Sequence, residues 1–476
     1  MPKIAVLRIV ELGLGATVWV AALAFGGMYA PLLCVAQLLI LGLGVLVLLS
    51  ELRSPLNLTQ APRIVPLVLV ALLLLQILPL PASLAPLLGA QDGVFPGRPY
   101  FTLSFAPYQT VSYLLLLVTY GTAFGLTLMI SRDAGARRRF LYVLLALGAF
   151  EALYGLVQYL TGWQQIFTYV KKYYLEDATG TYINHNHFAG LLEMVLPFAA
   201  AFGMQRLRAL QRATSHRQAR WRAIFCAAEL APVVFMAALC TIILTALVFS
   251  RSRMGLISAV VSLVMVLACS TARFRSYKHR PILLTSLVLA VIGIVLWIGS
   301  APVVSRFEAL GSEYGQAREN RFSIWSDTLR LIRQHPLLGT GLGTFSVAYP
   351  SVQTAFLTYR VDHAHCDYLE IAGDVGVIGG ALIFGSIVWV FVQVVQRVTR
   401  AEASGDDVVQ IGCIGSIAAI LVHSLSDFNL YIPGNALVFV VVIALAWSML
   451  HNDAPQYQAR GSYRIQSEQP DYPRRV

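Results

Sequence analysis

Two histidines stand between two aspartates in a short polar segment, residues 362–367, which has the sequence Asp-His-Ala-His-Cys-Asp. A neutral imidazole can accept a proton near pH 7, so His363 and His365 are both candidate general bases. The segment belongs to a polar stretch, residues 300–373, that lies between long apolar runs. Ionisable groups beside a membrane cost free energy, so their presence there indicates a functional site. The alternative is that both histidines are ordinary surface residues of a loop.

The same segment begins like the His-x-His-x-Asp-His metal motif of metallo-β-lactamase-like hydrolases, but Tyr368 replaces the final histidine. That motif also sits on a soluble fold, for which so apolar a chain has no room. We therefore expect neither a metal ion nor another cofactor. The alternative is a metal site of a different geometry, made by Asp362, His363, His365 and Asp367.

Three arginines are candidates for binding an anion. Arg251 and Arg253 lie in a tight connection, residues 250–255, between two apolar runs. Arg321 lies on a predicted amphipathic helix, residues 320–335, whose apolar residues recur at spacings of three and four. Because a guanidinium makes bidentate, permanently charged contacts with phosphate oxygens, we expect a diphosphate ligand. The alternative is that these side chains extend to lipid headgroups.

A further polar segment, residues 180–190, contains Asn184, Asn186 and His187 just before an apolar run. Amide and imidazole groups there can hydrogen-bond sugar hydroxyls, or they can cap the helix that follows. Both interpretations also hold for a polar group at the outer end of a later apolar run, namely His423, Asp427, Asn429 and Tyr431.

The composition is that of a membrane protein. Of the 476 residues, 57% are hydrophobic and 12% are charged, whereas soluble proteins average roughly 25% charged residues. The chain contains about twelve runs near the ~20 apolar residues that a membrane span requires. They are residues 9–27, 31–49, 64–81, 109–130, 140–161, 187–204, 224–249, 254–270, 282–299, 374–396, 409–425 and 434–450. The sequence therefore predicts an all-α polytopic membrane protein with about twelve transmembrane helices.

The basic residues indicate the orientation in the membrane. With the N-terminus in the cytoplasm, about two thirds of the 35 lysines and arginines fall in cytoplasmic connections and in the C-terminal tail. The net charge of +11 is thus a topology signal, and nucleic-acid binding is not expected. The polar stretch 300–373 then faces outward, away from cytoplasmic nucleotides. A reaction there needs an activated lipid donor.

Four segments carry a resemblance to a known family through their order and spacing. They are residues 180–190, Ser-Arg-Met-Gly at 252–255, Arg321 and Trp325 before the glycine-rich residues 335–343, and residues 365–379. Together they resemble the O-antigen ligase and polymerase superfamily of bacterial membrane glycosyltransferases. The last segment departs from the family's usual Asn, Gln and Glu, which are replaced by Cys366, Glu370 and Asp374.

The resemblance implies transfer of a glycan from undecaprenyl diphosphate in the periplasm, without a metal ion. By position, His365 is implied as the base that deprotonates the acceptor hydroxyl. Arg253 and Arg321 are implied as diphosphate ligands, with Arg251 as a further candidate beside them. We expect contacts with the glycan or the acceptor from a remaining group of polar residues: Asn184, Asn186, His187, His363 and Asp367.

The domain organisation expected from these observations is simple. Residues 1–450 form one transmembrane domain, within which residues 300–373 are a large periplasmic loop containing amphipathic helices. Residues 451–476 are expected to be a disordered cytoplasmic tail. The first apolar run carries Glu11 and no clear cleavage site of small residues, which predicts a retained helix rather than a signal peptide.

The function favoured by the resemblance is an O-antigen ligase of the inner membrane, which attaches the glycan to lipid A-core in lipopolysaccharide biosynthesis. One alternative is a polymerase of O-antigen or exopolysaccharide repeat units, to which residues 427–433 are similar. Another is a protein O-oligosaccharyltransferase. A membrane transporter is the alternative from a different class. The expected partners are the lipid-linked donor, lipid A-core or another glycan acceptor, and membrane lipids.

Overall fold

The computed structural model describes residues 3–51, 62, 64–85, 99–213, 227–273, 313–354, 360–400 and 407–451, and helices dominate them. In chain order the helices are α1 Lys3–Leu23, α2 Ala30–Glu51, α3 Ile64–Ile77, α4 Pro107–Ser131, α5 Ala134–Thr161, α6 His185–Ala213, α7 Ala227–Phe249, α8 Arg253–Arg273, α9 Glu313–Gln334, α10 Phe345–Ala348, α11 Asp367–Arg400, α12 Asp407–His423 and α13 Pro433–His451. Two short antiparallel ladders pair β1 Leu80–Pro81 with β2 Tyr100–Phe101, and β3 Gln165–Ile166 with β4 Tyr169–Val170.

Nine helices of the described ranges are long and apolar enough to cross a membrane, and α3 and α12 are shorter apolar helices. Together they coincide with every predicted span except residues 282–299, which lie outside the described residues. Residues 300–312 of the predicted periplasmic loop and the tail after His451 lie outside them too. The prediction of an all-α polytopic membrane protein is therefore confirmed, and the count of twelve spans stays a prediction.

Two helices, α6 and α13, lie at the centre of the bundle. In their apolar windows 83% and 78% of the residues are buried, against 17% in α2. Lipid accommodates apolar side chains as readily as protein does, so burial on this scale reflects packing against other helices. Helix α6 packs against α7, α8 and α12, and α13 packs against α4, α11 and α12.

The glycine-rich segment after α9 is fastened to the beginning of α11. The backbone N–H groups of Gly341 and Gly343 donate to the Asp374 carbonyl oxygen and carboxylate, at 2.9 and 2.6 Å. The Gln76 side chain at the end of α3 also donates to the Asp374 carbonyl oxygen, at 2.9 Å. Gly343 has φ +77°, and a Cβ there would lie 2.2 Å from the Tyr113 ring. The segment therefore needs glycine to fit between α4 and α11.

The amphipathic helix predicted for residues 320–335 is present: α9 covers 320–334 and ends before Pro336. Helix α11 begins at Asp367 and continues into the apolar span, with one interruption at Gly376. Gly376 has φ +71° and ψ 175°, and a Cβ there would lie 2.1 Å from the Leu337 carbonyl oxygen. This break lets the segment after α9 lie directly against α11.

We expect Gly376→Ala to lower the thermal stability of the protein. The backbone conformation is one that essentially only glycine adopts, at a cost of about 1–3 kcal/mol for other residues, and the new methyl group would also clash with backbone. Gly385→Ala is the matched control on the same helix, because nothing lies within 4 Å of a Cβ there. The measurement is the unfolding temperature of the purified protein in detergent. Equal unfolding temperatures for the two variants would contradict this account.

Candidate active site

Three histidines from two distant parts of the chain surround the ring of Phe428, which lies in the connection between α12 and α13. The ring of His363 stacks on it at a centroid distance of 4.0 Å, and the rings of His187 and His365 meet it edge-on at 4.7 and 5.2 Å. Residues some 60 and 240 positions apart from Phe428 are thereby brought into one cluster, which we call the histidine cluster (His187, His363, His365 and Phe428).

Asp367 holds the connection that carries Phe428. Its carboxylate accepts hydrogen bonds from Ser424 Oγ at 2.7 Å and from the Leu430 backbone N–H at 3.2 Å. Its own backbone N–H donates to the carbonyl oxygens of Ser424 and Asp427. The residue is fully buried. This carboxylate, expected to contact glycan or acceptor, instead faces the protein interior, and its role in the structure is to position the loop.

Asp427 lies on the other side of the cluster, beside His187. The His187 Nε2 and Asp427 Oδ1 atoms are 3.6 Å apart, and both side chains are buried. Burial alone would raise the pKa of Asp427, but the neighbouring His187, with help from His423 and His365, holds this pKa well below its usual range. Asp427 therefore stays ionised and contributes a negative charge at the base of the cluster.

His363 is oriented by a buried carboxylate. Its Nδ1 lies 2.7 Å from Glu370 Oε1, while Glu370 Oε2 accepts the backbone N–H of Ala364 at 2.7 Å. Burial lowers the pKa of His363, but the Glu370 carboxylate outweighs this effect and the net pKa is raised. With Nδ1 engaged, Nε2 is the ring nitrogen that can serve a ligand.

His365 has the opposite character. Its pKa is lowered to about 4, chiefly by burial; Asp427 opposes this shift, and Arg321 and the other two histidines of the cluster add to it. Its Nδ1 is buried without a hydrogen-bond partner among the described residues. The backbone has φ +51°, a left-handed conformation that is uncommon for a residue with a Cβ. The imidazole is thus neutral at neutral pH, as a general base must be.

Helix α9 brings Arg321 to the cluster. Arg321 Nη1 donates to the Ser426 carbonyl oxygen at 3.3 Å, and Trp325 Nε1 donates to the Ala364 carbonyl oxygen at 3.0 Å. The two contacts fasten α9 to both segments that carry the histidines and Phe428. Arg321 and His365, both predicted site residues, are therefore close enough for the guanidinium to act on the imidazole.

Arg251 and Arg253 differ in their surroundings. Arg251 Nη1 lies 3.0 Å from Glu176, and its Nε lies 3.6 Å from Asp177. Arg253 is the exposed first residue of α8 and forms no ion pair with the described residues. Arg251 is thus already paired within the protein, which favours Arg253 as the arginine available to a ligand.

The Ser-Arg-Met-Gly element at 252–255 is explained by local structure. Ser252 Oγ accepts the Gly255 backbone N–H at 3.2 Å, as an N-cap does. A Cβ at Gly255 would lie 2.5 Å from the Ala189 side chain, so the glycine allows α8 to pack closely on α6. The two residues together fix where Arg253 stands.

The predicted sugar-binding segment divides into residues with different roles. Asn184 Oδ1 accepts the Asn186 backbone N–H at 2.9 Å, which supports the capping interpretation for Asn184. His187 is buried in the histidine cluster. Asn186 is half-buried at the beginning of α6. Of the three, Asn186 remains the candidate for contact with a ligand.

Cys366 replaces the asparagine usual at this position in the family it resembles. It directly precedes α11 and is buried. Its sulfur interacts with the backbone N–H groups of Tyr368 and Leu369. The thiol thus takes the capping position that an asparagine side chain would fill.

A polar pocket of about 220 Å³ opens next to His363. It is lined by Gln109, Ser112, Tyr113, Gly343, Phe345, Ser346, Asp362, His363, Glu370 and Tyr431. Below it an apolar cleft of about 260 Å³ runs between α4, α11 and α13, and the two share Tyr113 and Tyr431. No group of three or more His, Cys, Asp or Glu side chains in the described ranges is arranged to hold a metal ion.

The sequence interpretation missed two residues on which the cluster depends, Phe428 and Glu370. Phe428 looks like any aromatic residue in an apolar chain, although the polar residues around it at 427–431 had indicated a site. Glu370 stands out in the sequence only as a departure from a family pattern. A carboxylate seven residues after a histidine and one helical turn into a span would have been the signal.

Comparison with known proteins supports the resemblance noted in the sequence. Residues 238–384 match the family model described as O-antigen ligase. The matched region includes Arg251, Arg253, Arg321 and both histidines of the 362–367 segment. No curated protein matches the chain.

We expect the pKa values of His363 and His365 to lie far apart. His365 should stay neutral until about pH 4, and His363 should titrate above its ordinary value. Glu370→Gln removes the carboxylate that raises the pKa of His363, so this pKa should fall, whereas Glu176→Gln, at an exposed position beside Arg251, should leave it unchanged. The measurement is NMR of ¹³C-histidine-labelled protein, assigned by single His→Gln variants. Titration of His365 at its ordinary pKa, or no response of His363 to Glu370→Gln, would refute this electrostatic account.

Proposed function

We propose that this protein, which carries an O-antigen ligase family region at residues 238–384, transfers a glycan from undecaprenyl diphosphate to an acceptor hydroxyl. The observation that carries the proposal is the position of Arg321, which α9 holds against the Ser426 carbonyl oxygen, close enough to the half-buried His365 for its guanidinium to lower the pKa of that imidazole. Glycosyl transfer from a diphosphate needs these two groups, because a proton must leave the acceptor while negative charge develops on the departing diphosphate.

In the proposed reaction His365 takes the proton of the acceptor hydroxyl through its accessible ring nitrogen. The acceptor oxygen forms a bond to the anomeric carbon of the donor glycan. The bond between that carbon and the diphosphate oxygen breaks, and its electron pair leaves with undecaprenyl diphosphate. The proton stays on His365 until it passes to solvent or to the released diphosphate. No oxidant or reductant is needed, and we expect no metal ion to be needed either.

The arginines stabilise the departing diphosphate in this proposal. Arg321 stands beside His365 and Arg253 is exposed at the first residue of α8. A guanidinium in a partly dry site interacts more strongly with an anion than it does in water. Arg251 has a supporting role here, because its contacts with Glu176 and Asp177 hold the turn that precedes Arg253.

Several features favour an outward-facing site in the bacterial inner membrane. The histidine cluster lies where α6 and α13 begin and α12 ends. Basic residues lie at the opposite end of the bundle, where Arg208 donates to the Ser270 carbonyl oxygen and Arg397 donates to the Leu450 carbonyl oxygen. Since cytoplasmic ends carry the basic residues, we propose cytoplasmic termini and a periplasmic active site.

The transporter alternative is disfavoured by the state of three acidic residues inside the described spans. Glu11 pairs with Arg139 at 2.6 Å, Glu151 accepts from Thr181 at 2.6 Å, and Glu193 lies 2.9 Å from His423. These carboxylates are engaged with partners inside the protein. A transporter site at the membrane midplane would instead leave such groups available to a substrate.

We propose transfer to lipid A-core, the ligase reaction, as the specific activity. A polymerase of repeat units and a protein O-oligosaccharyltransferase use the same donor chemistry and differ in the acceptor. The ligase proposal predicts that deletion of the gene leaves long glycan on undecaprenyl diphosphate and lipid A-core without glycan. The measurement is electrophoresis of extracted lipopolysaccharide together with analysis of the lipid-linked pool. Accumulation of single repeat units would instead identify a polymerase.

We expect His365→Ala to reduce transfer by at least about 100-fold, because general base catalysis typically contributes 10²–10⁴-fold. The measurement is release of undecaprenyl diphosphate by purified protein supplied with donor and acceptor. His451→Ala is the matched control, since His451 lies at the far end of α13 and bonds to the Trp447 carbonyl oxygen. Full activity of His365→Ala at normal expression would eliminate His365 as the base. Loss of wild-type activity in EDTA would restore the metal alternative.

A further inference from the structure

The polar pocket beside His363 is separate from the arginines of the proposed diphosphate site. Its walls come from α4, from the segment that carries α10, from the beginning of α11 and from Tyr431. Arg253, Arg321 and Arg251 are not among its lining residues. The proposed reaction brings two sugars together, and the arginine side accounts only for the donor. A second subsite is therefore required.

The polar groups of this pocket suit sugar hydroxyls. They include hydroxyl groups that both donate and accept, an amide and a histidine, namely Ser112, Ser346, Tyr113, Tyr431, Gln109 and His363. The volume of about 220 Å³ lies below the roughly 300–1,000 Å³ of pockets for drug-sized ligands. A single sugar ring is a ligand of suitable size and polarity for such a space.

His363 enters this pocket in a fixed orientation. Glu370 is 1% exposed and holds His363 Nδ1 at 2.7 Å, so the ring cannot turn without leaving a buried carboxylate unpaired. The second carboxylate oxygen is occupied by the Ala364 backbone N–H. His363 Nε2 is thereby left as a positioned hydrogen-bonding atom at the wall of the pocket.

The charges around the pocket are balanced within the protein. Glu370 pairs with His363, and at the rim Asp362 pairs with Arg360 at 3.0 Å. Arg360 also donates to Ser346 Oγ at 3.1 Å, which places the pair on the pocket's edge. A charged ligand group would meet no uncompensated opposite charge here and would lose its hydration. The pocket therefore favours an uncharged ligand.

We propose that this pocket binds one uncharged sugar ring of the acceptor glycan, with a ring hydroxyl hydrogen-bonded to His363 Nε2. The inference rests on the proposed function, which supplies the need for an acceptor. His363 and His365 are two residues apart, so their Cα atoms are within about 7 Å. A ring in the pocket thus lies next to the sugar whose hydroxyl reaches His365. Glu370 acts as a positioning residue, because it touches His363 and not the sugar.

Direct binding tests the inference without relying on catalysis. The probes are oligosaccharides released by mild acid from the producing strain's own surface polysaccharide or core, separated by anion exchange into uncharged and acidic fractions. Binding to the purified full-length protein is measured by saturation-transfer NMR. We expect the uncharged fraction to bind and the acidic fraction to bind at least about fivefold more weakly, because its charge would lose hydration without gaining an opposite charge. Absence of binding by the uncharged fraction, or equal binding by both, overturns the inference.

Variants at the rim make the test specific to this pocket. Ser346→Trp fills it from a half-buried rim position and should abolish binding of the uncharged fraction. Asp362→Asn leaves Arg360 unbalanced and should raise binding of the acidic fraction by about fivefold. Glu11→Gln leaves Arg139 unbalanced at the opposite end of the bundle and is the matched control, with no expected gain. A gain in Glu11→Gln equal to that in Asp362→Asn, or normal binding in Ser346→Trp, contradicts the assignment.

Kinetics separate this inference from the proposed function. His363→Gln should raise the KM for the acceptor at least tenfold while the KM for the lipid-linked donor stays within twofold. Glu370→Gln, which keeps an oxygen for His363 Nδ1, should be milder than Glu370→Ala. If His363→Gln transfers glycan with an unchanged KM for the acceptor, the acceptor pocket is refuted and the proposed function is not. If the wild-type protein binds the uncharged fraction but transfers no glycan, the proposed reaction is refuted and the pocket remains a glycan-binding site.

Discussion

The site depends on three buried carboxylates in the first turns of α11, each of which must be satisfied within the protein. Asp367 holds the connection that carries Phe428, Glu370 holds His363 and the Ala364 backbone, and Asp374 holds the glycine-rich segment and the Tyr431 hydroxyl at 2.7 Å. A buried carboxylate without partners costs several kcal/mol. Two remote segments and the residues just before α11 are therefore drawn to one helix end, and that convergence creates both the histidine cluster and the polar pocket.

The same arrangement places the carboxylates and the arginines in different parts of the site. The carboxylates lie inside, against α11, while Arg321 approaches from α9 and Arg253 stands at the beginning of α8. Two neighbouring histidines consequently have opposite properties. The Glu370 carboxylate raises the pKa of His363 against the effect of burial, whereas burial lowers the pKa of His365 to about 4 with a smaller contribution from Arg321. When the surroundings separate the pKa values of two titratable groups, one site can contain both a proton acceptor and a cationic or hydrogen-bond-donating partner.

Sequence patterns predicted the parts of this structure that local physics determines. The apolar runs predicted the spans, and the spacing of apolar residues predicted α9. Motif order correctly associated Arg321 with His365, although 44 positions separate them. The roles of Asp367, Arg251 and Phe428 could not be predicted, because each depends on packing between segments far apart in the chain. Asp367 in particular is a residue type that often contacts ligands, but here it stabilises the structure. Only its burial and its hydrogen bond with Ser424 distinguish these two roles.

Because His365 is the proposed base, its left-handed backbone places the proposed activity and stability in opposition at a single residue. A non-glycine residue in this conformation carries roughly 1–2 kcal/mol of strain, which glycine would not. In a relative that no longer needs the reaction, replacing this histidine with glycine would thus remove the strain and stabilise the protein without changing the rest of the fold. A glycine at position 365 in an otherwise intact relative would therefore mark a chain that has abandoned catalysis while keeping its place in the membrane.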